Sequence, residues 1–91
     1  MNNNDAILFA ASMDYTLPCI DLHGEEKMTS AIERLEKEVY RFYTEDKRYC
    51  RVIYGIGEGK MRKAVINSLS KNPMIKSVLP EDTGGSCIVV Y

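Results

Sequence analysis

The chain has 91 residues and a mass of 10.3 kDa, which is enough for one small domain and too little for two. Hydrophobic residues make up 45% of the chain and charged residues 27%, a composition that is typical of a globular protein and excludes disordered and fibrous classes. The longest apolar run, residues 6–11, is too short to cross a membrane and follows no basic segment, so we expect no signal peptide, no membrane partner and a cytoplasmic location.

The net charge of −1 conceals an uneven distribution along the chain. Residues 1–46 carry a net charge of −6, residues 47–76 carry +7 and residues 77–91 carry −2. The near-neutral total argues against general binding of nucleic acid over the whole surface. The basic middle third is compatible either with a confined anion-binding face or with an ordinary solvated surface.

The cysteine pattern argues against a zinc site. Cys19, Cys50 and Cys87 are widely spaced, no CxxC pair is present, and the chain has a single histidine. We therefore expect three reduced, mostly buried thiols, and we predict neither a metal nor a cofactor.

Residues 1–14 carry little hydrophobic patterning. We predict a flexible N-terminal arm there, with Ile7, Leu8 and Phe9 as the residues that can dock on the domain, while a strand or a short helix stays open as an alternative. Residues 15–91 then form the single folded domain.

Two patterned segments open this domain. Residues 15–23 predict a strand, in which Ile20 and Leu22 lie on one face and Asp21 and His23 on the other. After Gly24, residues 25–43 predict a helix, because apolar residues recur there at steps of three or four. That apolar stripe consists of Met28, Ile32, Leu35, Val39 and Phe42.

Shorter elements complete the chain. They are a strand over residues 49–54, a glycine-rich loop over 55–59, a helix from 60 to 72–73, a strand over 75–79, a turn over 80–85 and a strand over 86–91. The order β-α-β-α-β-β predicts an α/β fold whose βαβ units pair strands in parallel. The last two strands predict a hairpin, which makes the sheet mixed.

Two segments carry residues suited to chemistry, and each follows a strand. Asp21 and His23 flank the end of the first strand, too far apart in a regular strand for a direct hydrogen bond but able to flank one substrate, with Asp21 as the candidate to orient His23. The glycine loop leads into a helix N-terminus, where amide groups favour a phosphate. Because ligands gather at the carboxyl ends of parallel strands, we expect both segments to face one crevice if the first two strands are neighbours.

The loop holds Gly55, Gly57 and Gly59, and Lys60 and Arg62 follow it with formal positive charge. Its spacing matches neither the P-loop nor the dinucleotide fingerprint. A tight strand-to-helix turn without a ligand is the alternative at this point.

Taken together, the two segments resemble a known family. The run Ile20-Asp21-Leu22-His23-Gly24 resembles the LDLHG signature of the small MutS-related (Smr) domain. Residues 54–59 and the helix that follows resemble its second signature, HGxGxG. The resemblance covers residues 17–91 and so nearly the whole chain.

The resemblance implies a two-layer α+β sandwich like the C-terminal domain of bacterial translation initiation factor 3, with a four-stranded mixed sheet and two helices. It also implies binding of DNA or RNA, endonuclease (nicking) activity, a connection with DNA repair and the ribosome as a further candidate partner. By position it makes Asp21 and His23 active-site residues and the glycines the loop that binds the phosphate backbone.

One residue departs from the family pattern. Tyr54 stands where the second signature has histidine, and a tyrosine can donate a hydrogen bond to a phosphate but cannot shuttle a proton at neutral pH. The leading prediction is therefore a nucleic-acid-binding domain with endonuclease activity, and the alternative is a module that binds nucleic acid or the ribosome without cutting. A protein-interaction adaptor that uses the acidic first helix is a third hypothesis. The sequence does not decide the oligomeric state.

Overall fold

The structure, a computed structural model, describes residues 2–91. Its helices and strands are α1 (Asn3–Met13), β1 (Cys19–Asp21), α2 (Met28–Thr44), β2 (Tyr49–Ile53), α3 (Lys60–Ser70), β3 (Ser77–Pro80) and β4 (Ser86–Val90). From β1 onward the order is the predicted β-α-β-α-β-β. None of these helices is both long and apolar enough to span a membrane.

The four strands form one mixed sheet in the order β1-β2-β4-β3. β1 pairs with β2 in parallel, and β4 is antiparallel to both β2 and β3, so the predicted parallel pair and the final hairpin are confirmed. β2 and β3 are not neighbours, because β4 lies between them. Cys87, Ile88 and Val89 in β4 are all fully buried, which suits a strand that is covered on both faces.

α2 and α3 cover one face of the sheet and enclose the main core. Leu35 and Val39 of α2 pack there with Val65 of α3 and with Ile20 and Val52 of the sheet. α2 begins at Met28 rather than at residue 25, because the chain first makes a turn in which the Glu25 amide donates to the Leu22 carbonyl at 3.2 Å. Met28 is 37% exposed and so lies at the edge of the predicted stripe.

Residues 3–13 of the predicted arm form the helix α1, so the short helix that was left open as an alternative is what the structure shows. Asn2 caps this helix by accepting a hydrogen bond from the Asp5 amide at 2.8 Å, and Ala11 packs against Leu79 and Ile88 on the second face of the sheet. The helix therefore adds a partial third layer to the two that were predicted. Of the expected docking residues, Ile7 and Leu8 join that cluster, whereas Phe9 is 62% exposed. Residue 1 of the predicted arm lies outside the described residues, and the domain boundary at residue 15 stays a prediction.

The three thiols are free, and two of them are buried. Burial raises the pKa of Cys50 to about 11 and that of Cys87 to about 12, so neither forms a reactive thiolate at neutral pH. Cys19 at the start of β1 is exposed, so the expectation of mostly buried thiols holds for two of the three.

Candidate functional site

The end of β1 holds Asp21 and His23 in direct contact. His23 Nδ1 lies 2.5 Å from Asp21 Oδ1, and the His23 amide donates to the same oxygen at 3.1 Å. The expectation that the two side chains are too far apart for a hydrogen bond is wrong, because β1 ends at Asp21 and the chain turns before it reaches His23. The side chains remain 65% and 46% exposed for His23 and Asp21, so the pair is open to solvent.

This contact settles which ring nitrogen faces outward. The hydrogen bond from His23 lowers the pKa of the Asp21 carboxyl, which is therefore ionised at neutral pH and can only accept. Nδ1 of His23 must then carry the proton, and in the neutral ring Nε2 keeps its lone pair. Asp21 thus orients the imidazole and leaves Nε2 free to take or give a proton.

Arg34 of α2 holds the same turn from the other side of the chain. Its Nη1 donates to the Asp21 carbonyl at 2.8 Å and to Glu25 Oε1 at 3.4 Å. Sequence reasoning missed Arg34, since nothing in the helical pattern distinguishes it from the other charged residues on the outer face of α2.

The glycine loop lies directly beside His23. Gly55 has a φ of +85°, and a Cβ placed on it would lie 3.1 Å from the Cβ of His23. Both the backbone conformation and the close approach therefore require glycine at this position. The parallel register of β1 on β2, which pairs Asp21 with Ile53, brings the two strand ends to one edge of the sheet. The structure thus joins the two segments as expected from their positions.

The loop and the first turn of α3 present a row of unpaired amide groups. The amides of Tyr54 and Gly55 both donate to the Gly85 carbonyl at 2.9 Å, which ties the start of the loop to β4. Within residues 2–91, the amides of residues 56–62 have no protein acceptor. Gly59, the residue before α3, has a φ of +86°, which helps to turn the chain into the helix. Such a row at a helix N-terminus attracts anions.

Two exposed cations, Lys60 and Arg62, lie in the first turn of α3 at this row of amide groups. Lys60 lies 3.7 Å from Glu58, but both side chains are at least 80% exposed, so that pair is weak. Arg62 makes no ion pair within the described part of the chain. A shallow pocket of about 250 Å³ runs along residues 54–62 and is open to a phosphate.

Tyr54 does not occupy the position that a phosphate contact needs. It is only 4% exposed and packs in the main core, and its hydroxyl donates to the Ser86 carbonyl at 3.0 Å. Burial raises the pKa of the phenol, which keeps it neutral. Tyr54 therefore does not donate to a phosphate as expected. Its role is structural, because its ring packs in the core and fixes the start of the loop.

A second polar group lies on the outer face of the sheet. Arg51 of β2 donates through Nε and Nη2 to the Glu81 carboxylate at 2.8 and 3.1 Å, and Ser86 donates to Glu81 at 2.8 Å. Burial alone raises the pKa of Glu81, but the hydrogen bonds from Arg51 and Ser86 outweigh it and lower that pKa. Sequence reasoning gave these residues no role, although alternation along β2 does place Arg51 opposite the core face.

No group of three or more His, Cys, Asp or Glu side chains that could hold a metal ion occurs in residues 2–91. The arrangement near His23 is instead one oriented imidazole beside the start of the glycine loop, which leads into the row of amides and the two cations. In chemical terms it combines a proton-transfer group with a site for negative charge.

The comparisons of this chain with known proteins agree on one family. The model of the Smr domain matches residues 20–91, a segment that leaves out α1. The chain is 36% identical over 75 residues to Endonuclease MutS2 of Aquifex aeolicus (strain VF5), covering 79% of this chain and 10% of that protein. It is 27% identical over 89 residues to Endonuclease MutS2 of Ligilactobacillus salivarius (strain UCC118), covering 94% of this chain and 11% of that protein. The chain thus spans about a tenth of the length of these relatives.

The fold has a counterpart among solved structures. The crystal structure of the Smr domain of Thermus thermophilus MutS2 superimposes with a TM-score of 0.74 at 18% identity, covering 81% of this chain and 96% of that one. This likeness establishes the α+β architecture with a four-stranded mixed sheet.

Proposed function

The chain belongs to the Smr domain family, and from this membership and the geometry at His23 we propose that it binds DNA or RNA and cleaves a phosphodiester bond of the bound strand. One observation carries the proposal: Gly55 lies so close to His23 that an added Cβ would be 3.1 Å from the His23 Cβ. The oriented imidazole therefore stands at the start of the loop that presents the unpaired amides. Its relatives named as endonucleases support the same class of reaction.

Each group has a defined task in the proposed reaction. A phosphate lies along the amides of residues 56–62, with Lys60 and Arg62 adding positive charge. Nε2 of His23 takes a proton from a water molecule, whose oxygen attacks phosphorus and forms a new P–O bond. The ester P–O bond on the opposite side breaks, the leaving oxygen takes a proton from solvent, and the imidazolium returns its proton to solvent. The amides stabilise the charge that develops on the phosphoryl oxygens.

Asp21 is a positioning residue in this scheme. It fixes the ring through Nδ1 and stabilises the imidazolium that forms when Nε2 accepts the proton. Arg34 in turn holds the carbonyl of Asp21, which keeps the turn between Asp21 and His23 in place.

A second candidate function is binding without cleavage. The observation that favours it is the burial of Tyr54, because this leaves His23 as the one exposed proton-transfer side chain described beside the loop. A site with one such group binds a phosphate as well as a site with two, but it transfers protons less efficiently. A ribosomal RNA surface is a candidate partner for a module of that kind.

A binding and cleavage assay separates these functions. Labelled single-stranded RNA and closed circular DNA are incubated with the protein, with and without magnesium, across a range of salt. We expect binding that weakens steeply with salt, and cleavage that falls about 10²–10⁴-fold in His23→Ala while binding persists. Glu36→Ala, on the outer face of α2, is the matched control and should cleave like the original protein.

The two functions predict different results in this assay. Binding with no cleavage by the original protein supports the module that does not cut. If none of the probes shows salt-dependent binding, both functions are contradicted and a protein-interaction role is favoured.

A further inference from the structure

A cleft of about 470 Å³ opens beside His23 on the sheet face that α2 and α3 leave free. His23 and Gly55 form one end of it, and Ser12 of α1 and Thr83 of the β3–β4 turn form the other side. The cleft is therefore continuous with the edge at which the proposed phosphate site lies. Its lining decides which part of a bound nucleotide it can accept.

The charges in the cleft do not suit a phosphate. Apart from His23, the charged residues that line it within residues 2–91 are Arg51 and Glu81, and these neutralise each other through two hydrogen bonds of 2.8 and 3.1 Å. Their side chains are only 26% and 13% exposed, which leaves little of the guanidinium for a second anion. A neutral group is accordingly favoured over an anionic one.

The walls of the cleft are apolar. Ile56, at the tip of the glycine loop, is 83% exposed, and Ile53 of β2 lies half-buried below it. Position 85 beside this wall suits glycine, because a Cβ there would lie 3.1 Å from Ile56 Cγ1 and 3.3 Å from the Gly55 carbonyl carbon and would displace Ile56. A flat ring that lies against Ile56 would remove its apolar surface from water.

Hydroxyl groups at the floor supply polar contacts. Thr83 Oγ1 lies 3.0 Å from Ser86 Oγ and accepts from the Gly85 amide at 3.3 Å. Thr83 is itself exposed, so its hydroxyl can also bond to the edge of a ring that enters the cleft. An apolar wall, a neutral floor and a few hydroxyls together match the chemistry of a nucleobase.

We propose that this cleft holds one unpaired nucleobase of the strand whose phosphate lies on the glycine loop, so that the substrate class is single-stranded or locally unpaired nucleic acid. The inference rests on the proposed function and assigns its specificity. The cleft is open to solvent, and a base whose flat face lies against Ile56 cannot at the same time stay stacked on its neighbours in a duplex. A paired base must therefore leave its duplex before it can enter.

Three fluorescent probes of equal length test this inference: a single strand, the same strand in a matched duplex, and a strand of the same backbone with abasic positions throughout. We expect the single strand to bind at least about fivefold more tightly than either other probe, since a stacked base adds measurable affinity. Ile56→Ser removes the apolar wall, and Ser12→Trp narrows the cleft from α1 without touching the loop. Both variants should reduce the preference for the single strand over the abasic strand to about twofold or less.

Tyr40→Ser is the matched control, because Tyr40 is also an exposed apolar residue (58%) but lies on α2, beyond the opposite face of the sheet. It should keep the full preference. Equal binding of the base-bearing and abasic strands, or a preference unchanged in both cleft variants, overturns the inference and leaves the proposed function intact. No binding of any probe at low salt instead contradicts the proposed function itself.

Discussion

The two faces of the sheet differ in what holds them together. On the face covered by α2 and α3, side chains such as Leu35, Val39 and Val52 are fully buried, and the core cluster described there contains no charged side chain. On the other face, α1 covers a smaller apolar cluster, and the half-buried ion pair of Arg51 and Glu81 continues the surface toward His23. Stability is therefore concentrated on one face of the sheet, and the other face carries polar groups and a cleft.

The largest effect is expected from the apolar face. Leu35→Ala removes a fully buried side chain from the centre of the core and should lower the free energy of unfolding by about 2–5 kcal/mol. Denaturant titration followed by circular dichroism measures it. Glu36→Ala, the exposed neighbour on α2, should change stability by less than about 0.5 kcal/mol. Similar losses in the two variants would contradict the placement of the core.

A second prediction concerns the edge where the two faces meet His23. Gly55→Ala combines a φ of +85° with a Cβ 3.1 Å from that of His23, so it should cost about 1–3 kcal/mol of stability and displace the imidazole. Thermal unfolding and the nuclear magnetic resonance shifts of the His23 ring report the two effects. Gly57→Ala is the matched control in the same loop, since its φ is not positive and its Cβ would meet nothing within 4 Å. Equal effects of the two substitutions would rule out the close approach.

The ion pair of Arg51 and Glu81 on the second face makes stability depend on pH. Glu81→Gln leaves the Arg51 guanidinium without its ionic partner and should lower stability by roughly 1–2 kcal/mol at neutral pH. The pKa of Glu81 is lowered below its ordinary value of 4.5 in the folded protein, so its stabilisation is present above that value and is lost as pH falls through the folded pKa. The difference between the original protein and the variant should therefore shrink when unfolding is measured below about pH 4.5.

Asp82→Asn is the matched control for this pH series. Asp82 is exposed and follows Glu81 directly, yet it makes no hydrogen bond or ion pair with residues 2–91. Its substitution should leave both the stability and its pH dependence nearly unchanged. A pH-independent difference for Glu81→Gln would show that the ion pair contributes nothing.

The smallest effect is expected at the far end of α1. Asn2→Ala removes the side-chain oxygen that accepts from the Asp5 amide and should weaken the helix start by about 0.5–1 kcal/mol. Amide hydrogen exchange should speed up in the first turn of α1 and stay unchanged in α2 and α3. Asn4→Ala provides the comparison inside the helix. Uniformly faster exchange across the chain would mean that α1 and the core open together.

The sequence predicted the elements whose pattern is local. Leu35, Val39 and Phe42 recur at helical spacing, and the strands and glycine loop around β2 are marked by their own residues. The meeting of His23 with the loop was predicted on the condition that the first two strands are neighbours, and the parallel pairing of β1 with β2 meets that condition.

What the sequence could not predict depends on partners that are remote along the chain or on local departures from regular structure. α1 has consecutive apolar residues without helical spacing, and it is anchored by packing on Leu79 and Ile88, more than 60 positions away. The contact between Arg51 and Glu81 depends on the sheet order, in which β4 lies between β2 and β3. The bond between Asp21 and His23 arises because the strand stops early, which no alternation pattern reveals.

The contact between Gly55 and His23 has a consequence for how such a protein can change over time. The two short signatures are 32 positions apart, yet a single methyl group at one would push against the side chain of the other. A substitution at Gly55 therefore changes the surroundings of His23 as well, so the two positions are constrained together.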